Sequence, residues 1–224
     1  MTAPGGEALR AARRSLDGDA SAGRLTASQR ASRARRALAA GIAMADRVRA
    51  RWGEDPERIA AACGVPVIND DDSADYGSVR VFAEYGTRPA RIVLYRGAIA
   101  TVAAWLATPD ARHRVGTVSA GQMFIAHELF HHFDVSGESV PIARRWPVRL
   151  LSIGPLNWTT GLPSLAEIGA AAFTQSLLAL RVPPDDIVRA ALGLDGCADG
   201  NPPRASGSER MEISRHGRRH DPRG

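Results

Sequence analysis

His127-Glu128-Leu129-Phe130-His131 is the stretch of this chain whose residue types and spacing speak most directly of chemistry. Residues four apart on a helix share a face, so the imidazoles of His127 and His131 can bind one metal ion. Glu128, next to the first ligand, can reach a water on that metal without coordinating the metal itself. In this H-E-x-x-H arrangement a zinc ion acidifies the water and the glutamate takes its proton. The surrounding Met123, Phe124, Leu129 and Phe130 are apolar, as a core helix requires. The pattern predicts His127 and His131 as metal ligands and Glu128 as the general base.

A catalytic zinc takes a third protein ligand and keeps one position open. Glu167 is the only acid within 163–181, a segment with the apolar content of a strong helix. A lone carboxylate is costly to bury on such a helix unless it is paired or bound to a cation. The small Ala170, Ala171 and Ala172 would let this helix lie against the histidine helix. The other placement for Glu167 is the solvent face of an amphipathic helix. His132 lies off the ligand face and suits packing or hydrogen bonding. Asp134 can bond a ligand histidine or cap its helix. Tyr95, His113 and Arg144 are candidates for the donor that peptide hydrolysis needs at its oxyanion.

The elements that must position these residues follow from periodicity and punctuation. Leu38, Ile42, Ala45, Val48 and Trp52 recur at helical spacing within 26–52, and Gly53 ends that run. Asp55-Pro56 starts a short helix to Cys63, followed by an extended Val65–Ile68. The acidic run 69–73 lacks the glycine and glutamate of a calcium loop and reads as a solvated turn. Strands are expected at 78–84 and 90–95, joined by a turn at Gly86–Pro89. Buried helices are expected at 97–107 and 117–133, a long Gly/Pro-bearing connection at 135–162, and helices at 163–181 and near 185–193.

The segments FIAHELFHHFD and LAEIGAAAFTQSLLALRVP resemble the ImmA/IrrE-type metallopeptidases. DPERIAAACGVPV and ARIVLYRGAI are similar to that family's leading helix and the strand before its active-site helices. The resemblance spans roughly 55–183. It implies an α+β, zincin-like metallopeptidase domain, mostly helical with a small β-sheet. It also implies Zn2+ held by His127, His131 and Glu167, with Glu128 catalytic. The activity it implies is that of a metalloendopeptidase acting on an intracellular protein such as a helix-turn-helix transcriptional repressor. Two positions depart from the family pattern. Phe130 stands where a glycine is common, and Ala171 where an asparagine would orient a ligand. The alternative is a non-catalytic zinc-binding regulator that works by binding a partner.

Composition bounds the rest. The 224 residues carry 29 basic groups, all arginine, against 24 acids, a formal charge of +5. Residues 1–52 carry +7, residues 204–224 carry +3 and residues 53–203 carry −5. Residues 1–27, rich in Ala, Gly, Arg, Ser and Asp with little periodic hydrophobicity, are expected as a disordered basic arm, followed by a helical extension at 28–52, the peptidase domain at 53–195 and a disordered basic tail at 196–224. Arginine-rich arms can contact phosphates, but they carry no DNA-reading motif, so direct nucleic-acid binding is not expected. Two cysteines without CxxC spacing suit a reducing cytoplasm. There is neither a signal-like apolar run near the start nor a stretch of ~20 apolar residues to span a membrane.

Overall fold

A computed structural model describes residues 5–71, 74–76, 79–137, 139–153, 156–194 and 210–211. In chain order the elements are α1 (Gly6–Asp17), a 3-10 turn (Ala20–Arg24), α2 (Ala27–Trp52), α3 (Pro56–Ala62), β1 (Val67–Asp70), β2 (Asp75–Tyr76) and β3 (Val79–Arg80). There follow β4 (Ala83–Thr87), β5 (Ala90–Tyr95), α4 (Arg96–Leu106), α5 (Pro109–Val115), α6 (Ala120–Ser136) and α7 (Ile142–Arg145). The chain continues through β6 (Val148–Ile153), β7 (Leu156–Thr160), α8 (Pro163–Leu177), α9 (Pro184–Ala191) and β8 (Arg210–Met211). The protein is therefore α+β and mostly helical. No described helix is long and apolar enough to cross a membrane.

The central element is α6. Ser119 accepts from the Gln122 amide and Gln122 returns the bond to the Ser119 amide, a capping box that fixes where the helix starts. Apolar residues on every side of the helix demand burial all round, and eleven of its seventeen residues are buried. On one side lies a sheet of order β1-β5-β4, with β1 parallel to β5 and β4 antiparallel to it. Phe82 stacks on Phe124 across that interface, ring centroids 5.0 Å apart. On the other side lies α8, joined to α6 through Phe130 and Phe173 at 5.9 Å.

Glycines set the spacing of the next layer. A Cβ on Gly41 of α2 would stand 2.2 Å from the Gly169 carbonyl oxygen, and one on Gly169 would stand 2.5 Å from Phe130 Cζ. Three helices thus meet where two of them lack side chains. The bulk of Phe130 is accommodated by Gly169 on the facing helix.

The domain boundaries differ from expectation. Residues 1–27 are not an arm without structure: within them α1 buries Ala11, Ala12 and Leu16. Asp19 then holds the start of α8, its Oδ2 accepting from Ser164 Oγ at 2.8 Å. Nor is α2 an extension. It packs along α8 and buries Ala34, Ala37, Leu38, Gly41, Ala45 and Val48. The connection 135–162 contains α7 and the β6–β7 hairpin. The strand expected at 78–84 is broken, with β3 ending at Arg80 and β4 starting at Ala83. The short α5, capped by Thr108, was not expected. The turn at 69–73 is described only as far as the exposed Asp71. The tail at 196–224 lies outside the described residues, save the Arg210–Met211 strand beside β3.

Candidate metal centre

His127 and His131 sit one turn apart on the buried stretch of α6, each 2% exposed. Glu167 reaches them from the second turn of α8. The Nε2 atoms of the two histidines are 3.3 Å apart, Glu167 Oε2 is 3.2 Å from His127 Nε2, and Glu167 Oε1 is 3.6 Å from His131 Nε2. A tetrahedral zinc with bonds of ~2.0–2.1 Å separates its ligand atoms by about 3.3 Å. The His127–His131 and His127–Glu167 separations are close to that edge length, and the other Glu167 oxygen is somewhat farther from His131. These three residues are the His/Cys/Asp/Glu group with metal-binding spacing found among the described residues.

Protonation favours the same use. Burial pulls the His127 imidazole down to about 4, against a weaker upward pull from Asp185. The ring is neutral at pH 7, and a neutral imidazole is the form that binds a metal. Its contact with Glu167 is therefore not an ion pair there.

Glu128 supplies the second observation. It is 0% exposed, and its carboxylate oxygens have no well-formed hydrogen bond, the Tyr85 amide offering only a weak one. Burial, then the charges of Glu167 and Glu84, push its carboxyl well above the ordinary range, with the Tyr85 amide a weaker counter-influence. Buried polar groups are nearly always bonded, so two oxygens without a well-formed bond beside a ligand set fit a water held on a cation. The residues present fit a zinc ion.

The other expected residues lie as follows. His132 turns away from the cluster, its Nδ1 2.9 Å from the Tyr85 hydroxyl. Asp134 accepts from the Ile142 amide at 3.0 and 3.1 Å, which ties α7 to the last turns of α6. His113 and Arg144 are exposed on α5 and α7, and Tyr95 is buried where β5 meets α4. One carboxylate was missed. Asp185 in the first turn of α9 feels the charges of both His127 and Glu167, and burial raises it to about 6. Its sequence signal, an acid after Pro183-Pro184, marks a helix start and carries no link to the histidines.

Scans against protein-family models and searches of curated proteins and of solved structures find nothing that matches this chain.

Proposed function

We propose that this chain is a zinc-dependent metalloendopeptidase with a zincin-like domain, working in the cytoplasm on a specific protein. The observation that carries the reading is the pair of Glu128 oxygens without a well-formed hydrogen bond beside three donors at metal-binding spacing. His127, His131 and Glu167 would hold the ion, leaving one position open. When bound, zinc supplies a Lewis acid that polarises the scissile carbonyl and acidifies water. Glu128 takes the proton of the attacking water on a carboxylate oxygen and delivers it to the departing amine nitrogen. Its apolar, water-poor surroundings raise its basicity toward that task. The sequence resemblance extends the reading to a substrate such as a helix-turn-helix repressor.

Ala171 favours the second reading, a zinc-holding regulator without turnover, because the asparagine that would orient a ligand is missing. Such contacts tune metal affinity and activity by ~10–100-fold. Asp185 and Ala171 line the same small cavity, so a carboxylate from α9 stands beside the vacant position. Mapping protein N-termini in cells that express either the wild type or Glu128→Gln separates the two readings. The peptidase reading expects new termini with the wild type alone, the variant being slower by ~10²–10⁴-fold. Identical termini in both would remove it.

A further inference from the structure

The β6–β7 hairpin carries apolar side chains left exposed among the described residues. Leu151 and Trp158 are cross-strand partners, so their side chains stand on one face. They are 47% and 74% exposed, and the adjacent Leu150 is 40% exposed. The base of the same ladder is buried through Val148. Large apolar groups left together on a surface mark an interaction site. Among the described residues the ladder has two strands, and the outer edge of β7 has no strand neighbour.

Five arginines surround this patch. Arg24 donates to the Leu150 carbonyl at 2.9 Å and Arg33 to the Pro147 carbonyl at 3.2 Å. Arg36 and Arg145 lie over the Trp146 ring at 5.9 and 5.8 Å, and Arg149 is on β6 itself. Backbone oxygens and an indole hold four of them; no ion pair with a carboxylate neutralises any of the five among the described residues. Arg33 Nη1 is buried with no partner at all.

The segment that carries the hairpin is tethered at both ends near the helices that carry the candidate metal ligands. Its leading side is tied by the Ile142 amide to Asp134, three residues past His131, and its trailing side by the Leu162 amide to the Ala143 carbonyl at 2.7 Å. Leu162 precedes Glu167 by five residues, about 7.5 Å of helix rise.

We propose that the β6–β7 hairpin and the arginines at its base dock an extended, acidic and apolar segment of the protein substrate. This rests on reading the metal centre as a peptidase. Carboxylates meet guanidiniums that no carboxylate neutralises, apolar side chains cover Leu150, Leu151 and Trp158, and the peptide backbone pairs with the outer edge of β7. A single-stranded nucleic acid would want several aromatic platforms, whereas Trp158 is the one exposed aromatic among the described residues of the patch.

The test is fluorescence anisotropy of the full-length, zinc-supplemented protein with a labelled random glutamate–tyrosine copolypeptide. Polyglutamate, a short oligothymidylate and vesicles of phosphatidylcholine and phosphatidylserine serve as comparison probes. The wild type should bind the copolypeptide best. Trp158→Ser and Arg149→Glu should each weaken that binding at least ~10-fold with melting temperatures unchanged. No binding by the wild type, equal binding by the variants, or tighter binding of the oligonucleotide or the vesicles would overturn the docking face. Binding needs no turnover. A chain that binds the copolypeptide as expected but cleaves nothing would retain the docking face and lose the peptidase reading.

Discussion

Glu128 and His127 are neighbours in sequence that burial drives in opposite directions. The Glu128 carboxyl is held well above its ordinary range, so the folded chain keeps a proton that the unfolded chain releases above ~4.3. Its contribution to stability is full below that value and is lost as pH rises through the folded value. In the metal-free protein, Glu128→Gln is therefore expected to melt above the wild type at pH 8, with the gap closing near pH 4. Equal melting at pH 8 would contradict the burial of a carboxyl with little compensation for its charge. The His127 imidazole is lowered to about 4, while the unfolded ring titrates near ~6.5. That contribution is full above the unfolded value and is lost as pH falls toward 4, a difference of about 3 kcal/mol. His127→Asn should flatten the acid side of the stability profile, measured by urea unfolding between pH 7 and 4. An unchanged slope would mean that the ring is not buried neutral. Both residues were legible from type and spacing. Glu167 was legible as a lone acid on an apolar helix, whereas Asp185 was not, because its approach to His127 comes from tertiary packing.

At the scale of elements, the centre depends on how closely α2, α8 and α6 approach. Gly169→Ala forces a methyl group against the Phe130 ring, and overpacking of this kind costs about 1–3 kcal/mol. Phe130→Leu should recover part of that loss, and a double-mutant cycle by chemical denaturation should show coupling of at least ~0.5 kcal/mol. Additive effects would contradict the contact. Helices α2, α6 and α8 were legible because their apolar periodicity is long. The β6–β7 hairpin was not: the register shift between Arg149 and Leu151 breaks the alternation, and Gly154-Pro155 reads as a loop. Strand β5 was legible, all but one of its residues being apolar, while its neighbour at 78–84 was merged across a break. The glycine contact between α2 and α8 is invisible in one sequence, since neither glycine sits at a turn.

For the whole molecule, the N-terminal share of the charge does not sit on an arm without structure. The +7 of residues 1–52 lies largely on α1 and α2, which are layers of the fold. Their signal was present, since Leu9, Ala12 and Leu16 recur at helical spacing, but the Ala/Gly/Arg composition outweighed it. Leu16→Ala is expected to destabilise the protein by about 2–5 kcal/mol in chemical denaturation; no effect would restore the disordered arm. Arg24, Arg33 and Arg36 gather instead at the base of the β6–β7 hairpin. The most direct test of the central claim is the zinc content of purified protein after dialysis against micromolar zinc, by mass spectrometry. The wild type and Glu128→Gln should each hold one zinc per chain, and His131→Ala and Glu167→Ala should hold none while remaining folded. A folded wild type that holds no zinc, or a His131→Ala variant that holds as much as the wild type, would contradict it.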